Sequence, residues 1–176
     1  KKQKLPRIIF VNQIDKEHTS FEKTVSELKA KYGTNIVPIL YPIMDNGAMT
    51  GFVDLVDKKA YTFIGEKRQE TQIPADLIDT IELEHAALME TAAENDEELM
   101  EKVIMGEELT HDEIIKGLAL GVADSSAVPV LCGSALDFKG VRLLQDTIMR
   151  FIPSSANKEF EGLDDIRACD ESEPFS

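Results

Sequence analysis

Two rhythms of apolar residues alternate along this chain. Residues 7–11 hold an unbroken apolar run, Ile8, Ile9, Phe10 and Val11, of the β-rich kind that a buried strand needs. Polar Asn12-Gln13-Ile14-Asp15 follows at once. Thr19-x-x-Glu22 has capping-box spacing, in which a hydroxyl and a carboxylate satisfy free helix N–H groups. Phe21, Val25, Leu28 and Tyr32 then recur at helical spacing up to Gly33. The pattern predicts strand, polar loop and amphipathic helix. Residues 36–43 return to a strand-like pattern, and Asn46-Gly47 is a turn signal. Residues 52–56 and 60–64 predict two more strands joined at Asp57-Lys58, so a small, mostly antiparallel sheet is expected here.

Three helices are predicted next. The first covers 75–92, with Leu77, Ile81, His85, Leu88 and Ala92 on one face. The second covers 96–104, burying Leu99, Met100, Val103 and Ile104 before Gly106. The third opens on a second capping box, Thr110-x-x-Glu113, and buries Ile114, Ile115, Leu118 and Val122. The first rhythm then resumes. Val128–Cys132 reads as an apolar strand and Gly133-Ser134-Ala135 as a tight loop. A helix over 140–152 turns Val141, Leu144, Ile148 and Ile152 inward, with Pro153 beyond it. Two strand–loop–helix units thus flank an insertion of mixed character. Ligands of open α/β sheets bind beyond the carboxyl ends of the strands, where the 12–15 and 133–135 loops both sit.

Charge sharpens the picture of the insertion. The chain carries −14 overall, yet residues 76–113 hold 14 acids against the single base Lys102. Residues 157–176 hold seven acids and two bases and read as a linker, while the remainder is weakly basic. The acidic helices should repel nucleic acid and attract a basic protein surface, although acids on a helix are most often a solvated face. Cys132 and Cys169 lie far apart, outside any metal-ligand spacing, and read as reduced thiols. His18, His85 and His111 have no sequence partner; His85 reads as a core or boundary residue, and no metal site is expected. No apolar run approaches the roughly 18 residues of a membrane span. A first residue other than Met, and a last stretch resembling the start of a strand, lead us to expect a piece of a longer chain.

The two loops have the residues a guanine site needs. Guanine presents N1–H and an exocyclic NH₂ side by side, and one carboxylate accepts from both in a charge-assisted pair. Adenine lacks the N1 proton and is rejected. Asp15 can supply that carboxylate, Asn12 can contact the base and tie down neighbouring loops, and a backbone N–H such as that of Ala135 can donate to O6. Equally, Asn12 and Asp15 suit a loop at a helix start with no ligand at all.

The motifs PRIIFVNQID, GFVDLVDKKAY, MEKVIMGEELTHDEI and PVLCGSALDFKGVRLLQDTIMRFIPS occur in this order, and together they resemble bacterial elongation factor G from residue 5 to 155. Asn12-Gln13-Ile14-Asp15 is similar to the Asn-Lys-x-Asp motif of GTPases, and Ser134-Ala135 to their Ser-Ala loop. The resemblance implies an α/β fold: a partial parallel sheet of the P-loop GTPase kind with an inserted α+β subdomain. It implies GTPase-domain segments at 1–35 and 128–155, an insertion at 36–127 and a linker at 156–176 toward a second domain. Asp15 would read guanine N1–H and NH₂, Asn12 would orient the loop, the Ala135 N–H would meet O6, and Ser134 would brace Asp15 or the loop. Gln13 stands where the family has Lys; its stem can still cover the base, but the charge is missing. Leu136 completes the base-binding set.

The implied activity of the parent is GTP hydrolysis, with Mg²⁺, coupled to ribosomal translocation in the cytoplasm. The implied partners are guanine nucleotide and the ribosome, including the C-terminal domain of its stalk protein. Glu90, Glu94, Glu97, Glu98, Glu101, Glu107 and Glu108 are the candidate docking acids. These residues contain no G-x-x-x-x-G-K-[ST] loop, and Asp137-x-x-Gly140 reads as a coincidence of letters, so this chain alone is expected to be non-catalytic. Two other readings remain open: a ribosomal-protection or release-factor-like GTPase, and a stand-alone acidic interaction module.

Overall fold

The computed structural model describes residues 5–16, 19–33, 35–64 and 67–152, with only the backbone at Lys67. His18, Cys169, Pro153 and the expected linker lie outside the described residues. The chain runs β1 (Ile9–Val11), α1 (Phe21–Tyr32), β2 (Ile36–Pro38), β3 (Leu40–Asp45), β4 (Ala48–Asp54), β5 (Lys59–Ile64), β6 (Lys67–Thr71), α2 (Ile78–Ala93), α3 (Glu97–Ile104), α4 (His111–Asp124), β7 (Val128–Cys132) and α5 (Val141–Phe151).

The strands form two sheets, a parallel β1-β7-β2 and an antiparallel β3-β4-β5-β6. All five residues of β7 are buried, which explains its unbroken apolar run: a central parallel strand is covered on both faces. The expected single strand over 36–43 is instead two strands in different sheets. Ile39 is the joint between them. Its N–H donates to Val130 of β7 at 3.0 Å, and its carbonyl accepts from Leu55, just past β4, at 3.1 Å. A change of sheet leaves the apolar pattern intact, so sequence alone runs the two strands together.

β6 has no counterpart among the expected elements. Its sequence, Lys67-Arg68-Gln69-Glu70-Thr71, has no apolar alternation, yet it pairs with β5 over its whole length. It is the outer strand of its sheet, where charge discourages further pairing.

The core runs through both sheets and the helices between them. Phe52, Val53 and Leu55 are fully buried beside Leu88, Ala92, Leu118 and Val122. The inner face expected for α2 is the one observed, and His85 is buried on it, 2.6 Å from the Leu55 carbonyl. A carbonyl only accepts, so Nδ1 carries the proton. Two helix faces need correction. In α3, Leu99 is buried but Ile104, in the last turn, is 76% exposed. In α5, Thr147 and Phe151 are buried while Ile148 is 44% exposed. The helix is turned so that the larger Phe151 meets the core.

The helix caps also divide. The Thr110–Glu113 capping box forms as read. The Thr19–Glu22 box does not: Ser20 caps α1, its hydroxyl accepting from Lys23 N–H at 3.2 Å. Thr19 Oγ1 lies 2.7 Å from both the Ile14 and Lys16 carbonyls and gives its one proton to one of them, closing the loop before the helix. Glu22 is thereby free to accept a bond from the hydroxyl of buried Tyr41 on β3. Burial, then Glu22, raise that phenol well above its usual pKa.

α2 and α4 pack closely at Gly117, where a Cβ would lie 2.0 Å from the Ala92 carbonyl oxygen. Gly117→Ala should therefore destabilise the fold by about 1–3 kcal/mol, the cost of overpacking a close contact. Urea titration checks this; an unchanged midpoint contradicts it.

Candidate base-reading site and acidic surface

β1 and β7 are parallel neighbours in register, Val11 opposite Cys132. Their following loops must therefore emerge side by side at the carboxyl end of the sheet. The ladder continues one bond beyond the strands, from Gly133 N–H to the Val11 carbonyl at 3.0 Å. Only a glycine fits at 133, because a Cβ there would lie 2.4 Å from the Lys139 carbonyl oxygen. The close return of the chain gives the loop its shape.

The first loop is anchored by Ile14, which is buried, and turns through Gln13 at φ 60°. That left-handed conformation is strained for a side chain larger than glycine or asparagine and is held by the bond from Lys16 N–H to the Gln13 carbonyl at 3.1 Å. The Asn12 and Gln13 side chains are left exposed. Asn12 Oδ1 accepts from the Ala135 N–H at 2.9 Å, joining the two loops across 123 residues. The Ala135 amide is thus engaged by Asn12 here, and meeting a guanine O6 would need a shared bond or a small shift.

Asp15 is only half-buried as a residue, yet its Oδ1 is sealed from solvent and has no hydrogen-bond partner among the described residues. A buried carboxylate oxygen without a donor is costly, by about 1–3 kcal/mol or more. Sealed as it is, that oxygen is out of reach of an incoming ligand in this conformation, and a donor from outside would reach it only after a shift of the 12–15 loop. Ser134 is buried and donates to Asp137 Oδ2 at 3.3 Å, so it braces its own loop. Leu136 is 76% exposed beside them. Sequence reasoning missed two residues of this site. Thr19 could have been found, since Thr19 and Ser20 offered alternative caps. Lys139 could not: its Nζ donates to the Met49 carbonyl of β4 at 2.8 Å, ninety residues away.

Residues 1–154 match the profile of the elongation factor Tu GTP binding domain. The chain belongs to this family. It is a GTPase family, and guanine nucleotide is its ligand. Among solved structures, a protein from Thermus thermophilus matches with a TM-score of 0.77 at 27% identity, over 86% of this chain and 23% of that one. This chain therefore spans about a quarter of the length of that relative. The parallel sheet with a second, antiparallel sheet agrees with a GTPase domain carrying an inserted subdomain. Among the described residues, no group of three or more His, Cys, Asp or Glu is arranged to hold a metal ion. No helix there is long and apolar enough to cross a membrane.

The second candidate surface is the acidic one. Glu90, Glu94, Glu97, Glu98, Glu101, Glu107 and Glu108 are all exposed. Glu94, Glu97 and Glu101 line a shallow hollow with Met100. Glu108 pairs with Lys58 at 3.3 Å, and Lys58 also lies 3.6 Å from Glu82. The few bases nearby are engaged in internal ties. Lys116 meets Asp96 at 2.7 Å, Lys102 meets Glu113, and His111 lies 2.6 Å from Asp57. Lys102, then Thr110, hold the Glu113 carboxyl down at about 2 from its usual 4.5.

The sign follows from that depression. Glu113 contributes stability that is complete above its unfolded value of 4.5 and is lost as pH falls toward about 2. Acidification through that window should loosen the start of α4, and Glu113→Gln should flatten the response. Amide exchange at the first turn of α4 is the check, and equal pH profiles in the two proteins would contradict it.

Proposed function

We propose that this chain is the guanine-reading half, with an inserted partner-docking subdomain, of an elongation-factor-G-like GTPase that couples GTP hydrolysis to ribosomal translocation. The observation that carries the reading is the Asn12–Ala135 bond, which joins the 12–15 and 133–135 loops at the carboxyl ends of two parallel strands. Asp15 accepts from guanine N1–H and NH₂, Asn12 orients the loop and contacts the base, and Ala135 N–H serves O6. Gln13 and Leu136 flank the ring. On this reading, 1–35 and 128–155 belong to the GTPase domain, 36–127 is the insertion and 156–176 leads toward a second domain. The phosphate loop and the Mg²⁺ site lie in another part of a longer, cytoplasmic protein. Mg²⁺ supplies charge neutralisation at the phosphates, and no residue described here is assigned to it. Without phosphate contacts the isolated chain binds GDP weakly and hydrolyses nothing; micromolar GDP affinity of the chain would refute that part.

The deciding experiment compares GDP and xanthosine diphosphate binding to the longer protein, wild type against Asp15→Asn. The new amide repels guanine NH₂ but donates to the C2 carbonyl of xanthine. Guanine affinity should fall about 100-fold or more, the scale of rejection at a site left with an unpaired polar group, while xanthine affinity rises. Unchanged guanine preference would place Asp15 away from the base. A ribosomal-protection or release-factor-like GTPase shares this site; the long insertion favours elongation factor G.

A second reading concerns the acidic face, whose seven glutamates are all exposed, and the match of residues 1–154 to a GTP binding domain favours it over a stand-alone module. It docks the lysine-bearing C-terminal domain of the ribosomal stalk protein. Binding by this domain should weaken steeply between about 50 and 300 mM salt, since exposed charges are screened beyond about 10 Å at 0.1 M. No titration shift at low ionic strength would sink it.

A further inference from the structure

The loop after β7 is closed on itself. Ser134 N–H donates to the Lys139 carbonyl and Lys139 N–H to that of Ser134, both at 3.0 Å, and Phe138 N–H reaches the Ala135 carbonyl at 3.3 Å. Such a loop keeps its shape, but these bonds leave its tilt against the sheet undetermined. Two contacts from outside the loop bear on that tilt. One is the bond from Ala135 N–H to Asn12. The other is the Lys139 ammonium on the carbonyl of fully buried Met49. Lys139 is half-buried, and among the described residues no carboxylate lies within ion-pair distance of it, so the carbonyl is its only anchor there.

The other base-reading loop is held from the same direction. α1 directly follows it, and Glu22 in the first turn of α1 accepts from Tyr41 of β3. Tyr41 and Met49 lie on paired strands, β3 and β4, joined by the Asn46-Gly47 turn. One hairpin of the antiparallel sheet therefore grips both loops.

We propose that Lys139 is a positioning residue for base reading, and that the β3–β4 hairpin sets the tilt of the 134–139 loop and so the residence time of guanine nucleotide. The proposal rests on the guanine-site reading above. It gives the inserted sheet a second use: a load on the hairpin is transmitted to the base through one lysine and one buried carbonyl.

The test uses the longer protein with Lys139→Met, which keeps the stem and removes the charge, and Lys139→Arg, which keeps a donor. Amide exchange at Ala135 is measured without nucleotide, and the GDP dissociation rate separately. Lys139→Met should speed both by about tenfold, the scale of one hydrogen bond from a charged donor. Lys139→Arg should restore both. Unchanged exchange at Ala135, or faster exchange with unaltered GDP release, overturns the proposal. Loss of the guanine reading itself looks different: Asp15→Asn would then leave the base preference unmoved while Lys139→Met still loosened Ala135.

Discussion

The parallel pairing of β1 with β7 is the constraint on which the rest depends. Two parallel strands in register end at the same level, so the loops that follow them are neighbours although they lie far apart in sequence. The bond from Gly133 to Val11 carries the register past both strand ends. A slip of one residue would move Asn12 away from Ala135 and turn every side chain of the strand to its opposite face. That slip is prevented by burial. β7 is covered along its whole length, and its central Val130 bonds to Ile39 as well as lying opposite Ile9 and Pro38. The core thus fixes the spacing of polar groups that are themselves mostly at the surface.

Much of this was legible in the sequence because it is local. The run Ile8 to Val11, the run Val128 to Cys132 and the Thr110–Glu113 box each declare themselves within a few residues. The candidate residues Asn12, Asp15, Ser134 and Ala135 stand out because they follow those apolar runs, and the structure brings Asn12 and Ala135 together. What stayed hidden was the set of choices made in three dimensions. Thr19 and Ser20 were both capable caps, and the loop's need for Thr19 decided between them. Ile39 looks like any apolar strand residue, yet its two backbone groups serve different sheets. β6 is polar because it is an edge, and an isolated polar stretch gives no sign of having a partner. The face that α5 buries follows from the size of Phe151 against its neighbours.

The acidic segment is organised by a scarcity of bases. Lys102 and Lys116 join α3 to α4, and Lys58 sits between Glu82 and Glu108. These pairs hold the helices in place at short range. They leave the outer carboxylates of α2 and α3 uncompensated, and the field above that face is negative over a distance of about a Debye length. Most of the acids that stabilise the fold are therefore different residues from those that face outward, and the two groups can be altered separately.

The chain leaves the parallel sheet after Pro38 and returns to it at Val128, and the two strands on either side of that excursion are parallel neighbours. Parallel neighbours cannot be joined by a tight turn; the chain must first travel back along the sheet, usually as a helix. Here α4, packed on β7 and ending just before it, makes that return journey. The antiparallel sheet and the acidic α2 and α3 are thus additions to a crossing that topology requires in any case, although they now share its core. A shortened descendant would have to keep a helix in the place of α4, and to cover anew the apolar surface that the antiparallel sheet now covers, or lose the strand that carries the 133–135 loop.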